Sequence, residues 1–98
     1  MKIYWTDESK KWLKDIHDYI AKDNEKIAKR VISEIISKTD ILETFPRIGQ
    51  RLSLWKNEEI RMILYGHYRI VYLKKSEEQI DILGVYHGKL DLKRHLIR

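Results

Sequence analysis

Residues 59–74 read Glu59-Ile60-Arg61-Met62-Ile63-Leu64-Tyr65-Gly66-His67-Tyr68-Arg69-Ile70-Val71-Tyr72-Leu73-Lys74. Two runs rich in Ile, Val, Tyr and Leu flank Gly66-His67, so Glu59–Tyr65 and Tyr68–Lys74 are expected to be strands joined by a two-residue loop. Glycine in the first loop position suits a type II′ turn, whose twist matches that of the strands it joins. The spacing then pairs Tyr65 with Tyr68 and Arg61 with Tyr72. Side chains alternate across a strand. One face therefore carries Arg61, Ile63, Tyr65, Tyr68, Ile70 and Tyr72, and the other Ile60, Met62, Leu64, Arg69, Val71 and Leu73. Both faces are largely apolar, so each needs a cover.

Reading outward, Lys75–Glu78 is polar and forms the next turn, and Gln79–His87 is a third strand of the same composition. Upstream, Lys2–Trp5 is a short edge or opening strand. Thr6 stands at a helix N-cap with Asp7 and Glu8 in the first turn, where carboxylates complement the helix dipole. Trp12, Leu13, Ile16, Tyr19 and Ile20 recur at helical spacing, which predicts an amphipathic helix from about Asp7 to Lys22. Asp23-Asn24 breaks it, and either residue can cap the next helix. The second pattern runs through Ile27, Ala28, Val31, Ile32, Ile35, Ile36, Ile41 and Leu42. So short a break predicts an antiparallel helical hairpin. Phe45-Pro46 and Ile48-Gly49 end the helical region. The expected fold is α+β, in the order β-α-α-β-β-β, an antiparallel sheet with the helical hairpin on one face.

The chain has 98 residues, so residues 1–98 are expected to form one domain, with 89–98 a basic C-terminal tail or cap. There is no cysteine, which excludes a disulfide scaffold, a thiolate zinc site and cysteine catalysis. No long apolar run suggests a membrane span, and no secretory signal is visible, so a cytoplasmic protein with no membrane partner is expected. The net charge is +5. Charges cancel from Met1 to Pro46, whereas Arg47–Arg69 and Lys89–Arg98 carry the excess. Such a field favours an anionic partner, nucleic acid or an acidic protein.

Among candidate groups, His17, His67, His87 and His95 show no metal-pair spacing, so no metal is expected. His87 follows Tyr86 at a strand end, where imidazole could serve as a general acid or base or simply face solvent. Arg61 and Arg69 lie inside strands. A guanidinium held there could clamp a phosphate or carboxylate in a bidentate way, or pair with an internal carboxylate such as Asp81. Lys89, Lys93, Arg94 and Arg98 alternate with Leu90, Leu92, Leu96 and Ile97, which reads as an amphipathic cap, a docking arm or a solvated terminus. Trp55 lies in a basic loop between Arg51 and Lys56 and could stack on a base. Trp5 and Trp12 read as core. No P-loop, GxGxxG or GxSxG occurs, and no cofactor is expected.

Several stretches together resemble the RelE/ParE superfamily of type II toxins, most closely its ParE, or plasmid-stabilisation, branch. They are Asp15-Ile16-His17-Asp18-Tyr19-Ile20, Phe45-Pro46-Arg47-Ile48-Gly49, Arg61, Gly66-His67-Tyr68-Arg69-Ile70-Val71-Tyr72 and Val85-Tyr86-His87-Gly88-Lys89-Leu90-Asp91-Leu92. The resemblance implies the same β-α-α-β-β-β fold and a toxin neutralised by a cognate antitoxin that covers apolar and basic surface. Operator DNA would be reached only through the antitoxin. ParE-like members act on DNA gyrase without being catalysts. RelE-like members cut mRNA on the ribosome, and for that alternative the resemblance marks Arg61, Arg69 and His87, with Arg69 on the phosphate and His87 as acid or base. Gly88 stands where the ribonucleases often have a tyrosine, and the His-Gly-basic-x-Asp ending is the ParE style. Leu90 departs from the second basic residue common in that branch. A further alternative is an inactive relative that only binds an antitoxin. The target- or antitoxin-binding set expected on these grounds is Arg51, Trp55, Arg61, Arg69, Tyr86, His87, Lys89 and Arg94.

Overall fold

The computed structural model describes residues 1–52 and 58–87. The elements are β1 (Lys2–Trp5), α1 (Asp7–Ala21), α2 (Glu25–Lys38), a one-turn α3 (Ile41–Thr44), β2 (Gln50–Arg51), β3 (Ile60–Tyr65), β4 (Tyr68–Lys74) and β5 (Gln79–His87). The strands form one sheet in the order β1-β5-β4-β3-β2.

Each of the two long helices starts where a side chain takes up a free amide. The Thr6 hydroxyl accepts the Ser9 N–H at 3.1 Å and donates to the Ile82 carbonyl at 2.7 Å, so one residue caps α1 and ties its start to β5. Of the two candidates before α2, Asn24 is the cap and accepts the Ile27 N–H at 3.0 Å. The second apolar pattern continues to Leu42, but α2 ends at Lys38. There the Thr39 hydroxyl bonds back to the Ile36 carbonyl at 2.7 Å, and the backbone tightens into three-residue bonds from Leu42 to Thr39 and from Glu43 to Asp40. The turn keeps Ile35 and Leu42 both fully buried although the helix axis changes between them.

β3, β4 and β5 make the expected antiparallel meander, with Tyr65 opposite Tyr68 and Arg61 opposite Tyr72. Gly66 has φ +56° and no other described residue has positive φ, as a type II′ turn requires. Two features lie outside local pattern. β1 joins the edge of β5 in parallel, pairing Lys2–Trp5 with Gln79–Ile82, so the sheet is mixed. The two-residue β2 adds to β3, with Gln50 opposite Met62 and Arg51 opposite Arg61.

The sheet separates two apolar clusters. On the helical side, Ile63, Ile70, Tyr72, Ile80, Ile82 and Val85 pack with Ile35 and Leu42, flanked by Leu13, Ile16 and Val31. On the other side, Ile60, Val71, Leu73 and Tyr86 pack with Leu52, Met62 and Leu83. The predicted division of β3 and β4 into two faces is thus the division seen. β5 changes sides part-way. Tyr72 pairs with Ile82 but Val71 pairs with Gly84, so Leu83 is a bulge residue. The extra residue reverses the alternation. Val85 and His87 turn towards the helices, and Gly84 and Tyr86 turn away.

Candidate functional site

Arg61 is tied into the structure. Its Nη1 donates to the Gly49 carbonyl at 2.9 Å, and its Nε donates to Glu59 at 3.3 Å. Glu59 also accepts from Arg47, at 2.8 Å to Nε and 3.3 Å to Nη2. Gly49 is held a second time, because its N–H donates to the Tyr72 hydroxyl at 3.0 Å, and that hydroxyl donates to the Pro46 carbonyl at 3.0 Å. The segment 46–49 is therefore fastened to β3 and β4 by one guanidinium, one carboxylate and one phenol. A Cβ at Gly49 would lie 2.6 Å from the Tyr72 hydroxyl and 2.7 Å from the Met62 carbonyl, so only glycine allows this approach. Asp81, weighed as a partner for Arg61, is instead engaged by Gln79 at 2.7 Å and by Lys75 at 3.8 Å.

The hydrogen bond from Arg47, against the opposing cost of burial and helped by Arg61, holds the Glu59 carboxyl below its ordinary range. A lowered folded value contributes stability above the unfolded value and loses it as pH falls through the folded one. Glu59→Gln is expected to be less stable than the wild type at pH 7, with the gap closing on acidification below about pH 4. Urea midpoints at pH 7 and pH 3 measure this, and an equal gap at both would show that the carboxylate charge is not what matters.

Arg69 contrasts with Arg61. It sits opposite Leu64 and Tyr86 on the face turned away from the helices. It is half-buried and has neither hydrogen bond nor ion pair among the described residues. Its neighbour Leu64 is 57% exposed, so a cation and an apolar side chain stand together on an open face. Tyr86 is only 1% exposed and packs edge-on against Trp12, ring centroids 4.6 Å apart. Burial, with a lesser contribution from Glu8, pushes its phenol up to about 12. Tyr86 thus supports the face from within.

His87 pairs with Tyr68, the next position along the ladder from the Arg69–Tyr86 pair, so it points to the helical side. It is exposed, 5.9 Å from the Tyr68 ring and 6.1 Å from the His67 ring. Arg69 and His87, paired in the ribonuclease alternative, are thereby on opposite faces of the sheet. Arg51 is exposed on β2, opposite Arg61. Trp55, Lys89 and Arg94 lie outside the described residues.

His87 also closes one end of a cleft that the sequence did not reveal. The cleft lies between α1 and the end of the β4–β5 pair and has a volume of about 390 Å³. Buried Val85 and half-buried Trp12, Ile16 and Tyr68 line it, with exposed Asp15, Tyr19 and His87 at its rim. Tyr19 is 74% exposed although it falls in the apolar stripe of α1. Helical spacing identified the stripe but could not show which of its side chains the sheet covers. Among the described residues no group of three or more metal-ligating side chains occurs, and no helix is long and apolar enough to cross a membrane.

Comparison with known proteins agrees with this architecture. The model of the family described as "ParE toxin of type II toxin-antitoxin system, parDE" matches residues 3–92. Among solved structures, a chain of a chromosomal ParDE TA system from P. aeruginosa is similar, with a TM-score of 0.73 at 18% identity, over 91% of this chain and 97% of that one. No curated protein matches.

Proposed function

Since the chain belongs to the ParE toxin family of type II toxin-antitoxin systems, we propose that a cognate antitoxin neutralises it and that, once released, it inhibits DNA gyrase by binding. The observation that carries the reading is the placement of Arg69, a half-buried residue whose guanidinium has no partner among the described residues, on a largely apolar sheet face. A cation in such a setting is suited to meet a carboxylate or phosphate of a macromolecule while its apolar surroundings exclude water. Acid–base cleavage needs its groups within hydrogen-bond reach of one substrate position. Arg69 and His87 face opposite ways, and Arg61 is engaged by Glu59 and Gly49.

The test follows labelled thymidine and methionine incorporation after induction of this chain without antitoxin, then supercoiling by purified gyrase. Thymidine incorporation is expected to fall first. Arg69→Ala is expected to weaken gyrase inhibition by about 10-fold or more, the cost of one lost charge-assisted contact, while His87→Ala changes it by less than about 3-fold. Methionine incorporation falling first, with His87→Ala inactive, would establish the ribosome-dependent endoribonuclease instead.

A further inference from the structure

We propose that the cleft between α1 and the end of the β4–β5 pair receives the guanidinium of an arginine carried by the cognate antitoxin. The inference rests on the antitoxin reading above and adds the chemistry of one contact.

Three properties of the cleft select that ligand. The first is its charge. Asp15 on the rim has no ion pair or hydrogen bond among the described residues. Its neighbour Lys14 is turned to Asp18, at 2.8 Å. Lys14 acts on Asp15 only through space, so a carboxylate without a hydrogen bond or ion pair among the described residues stands at the mouth of a largely apolar cleft, with His87 the other ionisable group lining it. The second is its walls. Trp12, Tyr19 and Tyr68 surround the opening, and an aromatic face attracts a cation through its quadrupole. The third is its aliphatic lining of Ile16 and Val85, which offers nothing to a strongly hydrated ion. A guanidinium is planar, weakly hydrated and able to stack on a ring while donating two hydrogen bonds to a carboxylate, whereas an ammonium is a compact hydrated charge. Tyr19, 74% exposed, is then the side chain that the incoming residue covers.

The face with Arg69 and the cleft with Asp15 carry opposite charges on opposite sides of the sheet. A partner that reaches both would present an acid to one and a base to the other. Such an arrangement fixes orientation as well as affinity.

The probe is N-acetyl-arginine amide, with N-acetyl-citrulline amide as its uncharged isostere, titrated into the purified chain and followed by amide and indole NMR shifts. Shifts are expected at Trp12, Ile16, Tyr68 and Val85, with arginine at least about 5-fold tighter than citrulline, the scale of one cation–π contact with a nearby carboxylate. Asp15→Asn is expected to remove that preference. Asp15 and Tyr19 are exposed, so variants there leave the fold intact. Equal binding of the two probes, or an undiminished preference in Asp15→Asn, overturns the proposal. In the complex, Asp15→Asn and Tyr19→Ala are each expected to lower antitoxin affinity by about 10-fold. Unchanged affinity in both overturns the cleft assignment and leaves the antitoxin reading standing. Failure of the wild-type chain to bind the antitoxin overturns both.

Discussion

Replacing Gly84 by alanine is expected to destabilise the fold by about 2–3 kcal/mol, a large share of the 5–15 kcal/mol typical of such a domain. Gly84 sits opposite Val71, just after the bulge at Leu83. The ring of Tyr86, two residues on and on the same face, lies flat across it. A Cβ at Gly84 would come within 2.7 Å of the ring Cε2, and closer still to Cζ and the hydroxyl. A flexible side chain in solvent could swing aside, but Tyr86 is 1% exposed and is held by Trp12. The added methyl must therefore displace the ring from its packing or distort β5. Denaturant unfolding of Gly84→Ala measures the loss. The clash explanation predicts strong coupling. In a Tyr86→Leu background the same substitution should cost less than about 1 kcal/mol, because the atoms in its way are gone. Additive costs would show that the glycine is needed for another reason.

Tyr72→Phe is expected to cost about 2–4 kcal/mol through two hydrogen bonds. The ring is fully buried and stays so in the variant, so packing is nearly unchanged. The hydroxyl, however, accepts the Gly49 N–H and donates to the Pro46 carbonyl, each at 3.0 Å. Without it a buried donor loses its partner and a carbonyl is left to find another. Arg61 still holds the Gly49 carbonyl, so the segment 46–49 should loosen without detaching. Equilibrium unfolding gives the energy, and hydrogen exchange at the Gly49 amide should speed up by more than the global change requires. A cost below about 0.5 kcal/mol with unaltered exchange would mean that water replaces the phenol without loss.

The sequence was most legible where the determining interactions are local. Gly66-His67 and the flanking β-formers set the hairpin, its turn type and the division of Arg61 from Arg69 between faces. The Thr6 cap and the stripe from Trp12 to Ile20 set α1. The family was legible in stretches spread along nearly the whole chain, because they keep their order and spacing. The roles of individual residues were less legible. Arg61 and Arg69 look alike in sequence, each one polar residue in an apolar strand. Yet Arg61 is bound by Glu59 and Gly49, whereas Arg69 has no such partner among the described residues. The difference arises from the segment 46–49 folding back beside β3, which no periodicity reports.

By itself, the sequence determined the order of β1, the two long helices and the three meander strands, and the two apolar faces of the hairpin, since these follow from side-chain alternation, helical spacing and turn chemistry among near neighbours; the short α3 and β2 it did not show. The tertiary structure alone decided that β1 pairs in parallel with β5, Lys2 with Gln79 through Trp5 with Ile82, and that Thr6, 76 positions from Ile82, donates to its carbonyl. It alone placed the bulge at Leu83, which turns His87 to the helical side and Tyr86 to the face of Arg69, beside it, and it alone brought Asp15 and Tyr19 to the mouth of an aromatic cleft. Such features depend on how distant segments pack and register against one another, and a chain's local pattern carries no record of that choice.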